Sequence, residues 1–480
     1  MRSTSERKYL ERRQISGLLL SAWEDSLLCV KPKSTTEKRC RYRNVPCAIS
    51  KDNHKWIAVL PKHAAKLVTG RAMNCSAKGT GLRIATGAFR TTPIPSLHVI
   101  SGEPSLDLRR RRLSLSYFYK IKSDESHPQH YKVINPIFGS LFSVRLSFTL
   151  TFGSRIGEIL RYFEIEDFPV VSNVEDPPPW KETQLDFIDD FLHFLKPSTS
   201  DIVFQQHFYD HRQHYSDYVP IYTNGSKSDN HVSSSAVFPD FAIAETHHPF
   251  CSVYTSELYA IYLGLLKIST LNFKQAIIYT DSRSGINALR SAKHNKHPLV
   301  MQCLHLHHTL KKTKIKYCWI PGHVGIPGNE RADKAANSTN ASREAFVPLI
   351  DALQAVKLSQ HRVWQRIWDG KSNKLYKIQP SLKGFGSLTI RKHDVILTRL
   401  RVGHAFLTHL HLLHSDPTPI CNGCNCILSV EHILCQCKNF YSQRQAHFGA
   451  HIIDLIDILG TNPCVNVFTF LKEVQFFKFI

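Results

Sequence analysis

What this 480-residue sequence lacks narrows its class before any motif is considered. It has no apolar run long enough for a membrane span: Gly17 to Trp23 is too short even for the apolar part of a signal peptide, and Ile137 to Phe152 is broken by Arg145. No secretory start and no internal repeat is seen. The 13 cysteines are scattered along a long chain, so no compact disulfide scaffold is expected. These absences lead us to expect a reduced, intracellular protein that is not secreted and uses no membrane, with nucleus or cytoplasm and the oligomeric state left open. Acidic residues are also scarce, 39 Asp+Glu against 61 Lys+Arg, giving a formal net charge of +22. Such a balance favours a polyanionic partner, nucleic acid first, through phosphate neutralisation and counterion release.

A hydrophobic content of 42% permits a packed core, and the length allows two or three domains. Residues 1–70 show no sustained period and are left as an unassigned basic segment. The first 125 residues hold 25 Lys+Arg against 10 Asp+Glu, including Arg109 to Arg112, which reads equally as a phosphate-binding run or a solvated helix face. From Arg71 to Lys122 the pattern is helical, interrupted at Thr92-Pro93. The segment 71–175 ends in Glu175-Asp-Pro-Pro-Pro-Trp180, whose prolines suggest a stiff linker over 176–212.

Beyond the linker, strand-like runs at Val219 to Thr223, Ser235 to Phe238 and Phe241 to Glu245 precede a helical period from Tyr254 to Ile268. A buried strand from Ala276, helices from Ser282 and Leu299, a strand from Lys314 to Ile320 and a helix from Asn329 complete the order β-β-β-α-β-α-α-β-α. That order predicts an α/β fold over 213–342, with helical flanks. Residues 343–480 read as a helical region, Val347 to Ile378 first, leading to a segment rich in His and Cys.

This layout brings together Glu257 in the first turns of a helix, Asp281 at the end of a buried strand and Asp333 in the last helix. Clustered carboxylates suit hard divalent ions, and two such ions can activate water and neutralise a phosphodiester transition state. The surrounding blocks are Tyr222-Thr-Asn-Gly-Ser-Lys, Thr255-Ser-Glu-Leu-Tyr-Ala, Tyr279-Thr-Asp-Ser-Arg-Ser and Trp319-Ile-Pro-Gly-His-Val-Gly-Ile-Pro-Gly-Asn-Glu-Arg-Ala-Asp333. Together they resemble type-1 ribonuclease H. The resemblance implies a ribonuclease H-like fold, a five-stranded mixed sheet flanked by helices. It also implies metal-dependent endonucleolytic hydrolysis of RNA in RNA/DNA hybrids, read by backbone shape and 2′-hydroxyls.

It further implies two Mg²⁺ ions, or Mn²⁺, held at 224, 257, 281 and 333, with His323 on a flexible loop assisting proton transfer or product release. Gly322 and Gly325 would serve as hinges. One position departs: the family carries Asp where this chain has Asn224, which removes a charge and an anionic oxygen from the site. Asp229 has no evident geometry to replace it, and Asn224-Gly-Ser is also a glycosylation sequon without a secretory context. The alternatives are a catalytically impaired hybrid-binding remnant and, more remotely, an integrase-like strand-transfer enzyme.

The flanks resemble a LINE-type (non-LTR) retrotransposon polyprotein. Gly81-Leu-Arg-Ile-Ala-Thr-Gly-Ala-Phe-Arg-Thr-Thr-Pro and Glu103-Pro-Ser-Leu-Asp-Leu-Arg-Arg are similar to the segment after a reverse transcriptase palm, making 71–175 a thumb- or connection-like remnant. Phe187-Ile-Asp-Asp-Phe imitates a polymerase hairpin but lies in an apparent amphipathic helix with Leu185, Ile188 and Phe191. Downstream, Cys421, Cys424, His432 and Cys437 have the spacing of one structural Zn²⁺ site, with Cys426 and Cys435 as spare thiols and free buried cysteines as the alternative.

Overall fold

The computed structural model describes residues 75–136, 150–171, 185–194, 196–229, 231–271, 273–291, 297–339, 346–386, 388–449 and 454–480. The unassigned segment 1–70, most of the apolar alternation up to residue 149 and the proline linker at 175–180 lie outside these residues. The described strands are β1 (Val170–Val171), β2 (Asp186–Ile188), β3 (Val219–Lys227), β4 (Val232–Val237), β5 (Ala242–His247), β6 (Gln275–Thr280), β7 (Lys314–Trp319), β8 (Val347–Pro348), β9 (Ile420–Cys421) and β10 (Cys426–Ile427).

β6 explains why a mixed sheet forms. Its run Ala276-Ile-Ile-Tyr has no polar side to turn to water, so it must be covered on both faces. Alternation sends Ala276 and Ile278 into one core, with Leu258, Ile261, Leu265 and Leu299 of the helices Val253–Thr270 and Pro298–Thr309. Ile277 and Tyr279 enter the other, with Phe204, Phe208 and Ile320. The sheet order is β2-β7-β6-β3-β4-β5. β3 runs parallel to β6, Tyr222 opposite Tyr279, and antiparallel to β4, Tyr222 opposite Val237.

The expected element order from β3 to the helix Pro327–Ser338 is present, but the sheet has six strands rather than five. The extra strand is β2, which pairs in parallel with β7, Phe187 opposite Tyr317. The helical reading of Leu185, Ile188 and Phe191 is therefore corrected. Leu185 and Phe187 pack on one face and Ile188 on the other, and a turn then carries Phe191 into the second core. Lys316 ties the strand down through Asp186, 2.5 Å away. Residues 201–212, expected within the linker, belong to the helix Asp201–His214, whose Phe204 and Phe208 are buried.

The chain divides into two compact units. One covers 107–364, in which the helices Leu106–Lys122, Phe152–Phe163 and Leu349–Asp369 share a core that reaches Val232 and Cys251 of the sheet domain. Arg110 of the basic run is exposed, while Arg111 bonds Asp107 at 2.9 Å and lies 4.3 Å over Tyr162. The other joins residues 75–106 to 365–480, so the segment 71–175 contributes to both units.

In that second unit the arginines of Arg399-Leu-Arg-Val-Gly-His bind backbone. Arg399 donates to Gly87 O at 2.9 Å and Ile480 O at 2.6 Å, and buried Arg401 to Leu459 O at 2.7 Å and Gly460 O at 2.9 Å. Among the described residues no helix is long and apolar enough to cross a membrane.

Candidate active site and a Cys/His cluster

Three serines of β4 aim the two helices that carry Glu257 and Asp333. Ser233 and Ser235 point to one face and donate to Ala336 O and Ala332 O, each at 2.7 Å, holding the helix Pro327–Ser338 against the sheet. Ser234 points to the other and donates to Ser256 O at 2.6 Å, beside Glu257. Its single proton is then used, so it accepts from His247 Nε2, also 2.6 Å away. Burial holds the His247 imidazole down at about 4.

The helix Val253–Thr270 is capped twice. Ser252 Oγ accepts from Thr255 N at 3.2 Å, and Asp351 Oδ2 accepts from Ser252 N at 2.9 Å and Thr255 Oγ1 at 2.6 Å. Gly225 lets this helix approach β3: a Cβ there would stand 2.4 Å from Glu257 N. The Gly225 amide also faces the Glu257 carboxylate and favours its charged form.

Asp281 follows β6 directly. Its carbonyl accepts from Trp319 Nε1 at 3.0 Å and its Oδ2 from Asn329 Nδ2 at 3.4 Å. A Cβ on Gly322 would sit 2.3 Å from that Oδ2, so clearance for the carboxylate, rather than a hinge, requires glycine there. Asp333 Oδ1 accepts from Asn224 Nδ2 at 2.9 Å and Asn337 Nδ2 at 3.1 Å.

Burial raises Glu257 well above the usual carboxylate range, and repulsion from Asp281 and Asp333 adds to this. Asp281 is raised by burial first, with Asp333 again repelling. Glu257 Oε2 is buried and accepts no hydrogen bond. A buried acceptor without a donor, facing two like charges, is a fitting place for a cation. His323 is exposed, with φ 55°, and offers a ring nitrogen within 4.8 Å of oxygens of Glu330 and Asp333.

Sequence reading named Asn224, Glu257, Asp281, His323 and Asp333 but missed Glu330, Asp351 and the β4 serines. Glu330 lay inside the quoted motif and could have been found there. Nothing local marks the serines or Asp351, whose partners are distant in sequence.

In the other unit, β9 and β10 form a short antiparallel ribbon whose turn places Cys421 and Cys424 beside Cys437. The Sγ separations are 3.8 Å from Cys421 to Cys437 and 3.9 Å from Cys424 to Cys437. A tetrahedron with metal–sulfur distances of about 2.3 Å has sulfur–sulfur edges of about 3.8 Å. The four expected residues, Cys421, Cys424, His432 and Cys437, each bring a ligand atom within 4.8 Å of the others. Cys426 Sγ lies 3.3 Å from His432 Nδ1, outside that four-residue group. Cys435 packs against the apolar core, where burial pushes its thiol up to about 11. Gly423 admits Asn439 against the turn, a Cβ there meeting Asn439 Nδ2 at 2.3 Å.

Residues 216–341 match the family model for RNase H. That segment covers the β3-to-helix order, the mixed sheet flanked by helices and the carboxylates described above. Over residues 216–341 this chain carries an RNase H domain.

Proposed function

We propose that this domain hydrolyses the RNA strand of RNA/DNA hybrids endonucleolytically, leaving 3′-hydroxyl and 5′-phosphate ends, with the rate reduced by Asn224. The observation that carries the reading is Glu257 Oε2, buried and without a donor beside Asp281 and Asp333. Glu257 and Asp281 would hold one Mg²⁺ or Mn²⁺ and Asp333 a second, with the Asn224 amide oxygen as a weak shared ligand. The ions would supply an activated water and neutralise the phosphorane charge. Capping by Ser252 and Asp351 orients the Glu257 helix, Trp319 and Asn329 orient Asp281, and Asn337 orients Asp333. The exposed His323 imidazole would take or give a proton at its ring nitrogen.

A second reading, a hybrid-binding remnant without chemistry, is favoured by one contact. The Asn224 amide donates to Asp333 at 2.9 Å, occupying an oxygen that an ion would need. The flanks 81–93 and 103–110 support a LINE-type retrotransposon origin by sequence resemblance, and the Cys421, Cys424, His432, Cys437 group supports one structural Zn²⁺.

The test incubates the full chain with a labelled hybrid in Mg²⁺ or Mn²⁺, beside the Asn224→Asp chain. The short segment 210–345 is unsuitable because it removes β2 and cuts the helix Asp201–His214. We expect cleavage by both, slower in the native chain by about 10²–10³-fold. Cleavage by the Asn224→Asp chain alone refutes the active reading and leaves the second. Cleavage by neither removes the proposed site.

A further inference from the structure

Residues 185–214 lie upstream of the matched segment, yet they hold the loop that presents His323. Val324 and Ile326 of that loop are buried among Ile188, Phe191, Phe204 and Phe208. The carbonyls on either side of His323 are both claimed by upstream donors. Lys196 Nζ reaches Gly322 O at 2.6 Å, and Gln205 Nε2 reaches Val324 O at 2.8 Å. Between them His323 has φ 55°, a left-handed conformation that non-glycine residues seldom adopt unless their neighbours impose it. Gly325, at φ +79°, lies against the same glutamine, a Cβ there standing 2.5 Å from Gln205 Nε2.

We propose that Gln205 is a positioning residue for His323. It fixes the carbonyl after the histidine, Lys196 fixes the one before, and the two apolar side chains plug the loop into the helix Asp201–His214. The imidazole is thereby held in place near Glu330 and Asp333 rather than swinging on a free loop. The functional domain then begins near residue 185, upstream of the matched segment. This inference rests on the proton-handling role of His323 given under Proposed function.

The test uses Gln205→Glu, which keeps size and removes the donor, in the full Asn224→Asp chain. Gln206→Glu, an exposed neighbour on the same helix, controls for the added charge. Hydrogen exchange of the Val324 and Gly325 amides should quicken about tenfold or more in Gln205→Glu and stay unchanged in Gln206→Glu. In hybrid cleavage, Gln205→Glu should lower kcat roughly ten- to hundredfold with KM unchanged, and should cost nothing further once His323→Ala is present. Unchanged exchange, or an equal loss in the His323→Ala background, overturns the proposal. If neither parent cleaves hybrid, the catalytic reading fails, and the exchange measurement alone decides whether Gln205 holds the loop.

Discussion

Asn224→Asp should make the sheet domain depend on divalent metal for its stability. In the native chain Asn224 Nδ2 donates to Asp333 Oδ1 at 2.9 Å, so the substitution replaces a hydrogen bond with two facing carboxylates. The lost bond is worth roughly 1 kcal/mol or somewhat more, because its acceptor is charged. Two like charges about 4 Å apart at an effective dielectric near 20 repel by about 4 kcal/mol. Proton uptake limits that penalty: raising a carboxyl from about 4 to 7 costs no more than about 4 kcal/mol at neutral pH. Without metal the variant should therefore be roughly 2–5 kcal/mol less stable than the native chain.

Millimolar Mg²⁺ or Mn²⁺ should return much of this loss, because binding to the folded state alone stabilises it as RT ln(1 + [L]/Kd). The assay is urea unfolding followed by fluorescence, in chelator and then across a metal titration, for both chains. Equal stability in chelator, together with equal metal stabilisation of the two chains, would refute the argument. It would mean that the amide–carboxylate contact does not compete with ion binding.

Chelation should remove one zinc per chain from the Cys421, Cys424, His432, Cys437 group, and Cys424→Ser should lose metal on dialysis while Cys435→Ser retains it. Elemental analysis decides this, and a metal-free native chain would end the zinc assignment. Asp351→Asn removes a charged acceptor from the start of the Glu257 helix and should cost about 1–2 kcal/mol in urea unfolding, with no loss meaning the cap is dispensable. His247 has a folded pKa near 4, below the roughly 6.5 of an unfolded chain, so it is neutral in the native state. Its contribution is fully present above pH 6.5 and is lost as pH falls through the window towards 4. His247→Gln should flatten the stability–pH curve in that window, and superimposable curves would remove His247 as its source.

The sheet domain was legible in sequence because its signals are local. An apolar run such as Ala276 to Tyr279 demands cover on both faces wherever it lies, and Pro298 and Pro327 sit at the first turns of their helices. β2 was not legible. Three residues carry too little alternation to separate a strand from a helix, and Leu185, Ile188 and Phe191 satisfied the helical period by coincidence. Only the open edge of β7, which the chain reaches from far upstream, decides between the two.

The site divides along the same line. Glu257, Asp281 and Asp333 could be named because their chemistry is carried by residue type inside short blocks. Much of what holds the site could not, since Ser235 acts on Ala332 and Asp351 on Thr255 across about a hundred residues each, as Gln205 does on Val324 beside His323. Gly322 and Gly325 show the limit of motif reading most clearly. Both looked like hinges, yet the first clears Asp281 and the second adopts a left-handed turn against Gln205. The adjacent glycines therefore serve a loop that is held on both sides of His323 by Lys196 and Gln205. Substitutions that matter for this site should accordingly be sought in residues 185–214 and near Asp351 as well as within the matched blocks, because they set where the site's side chains point.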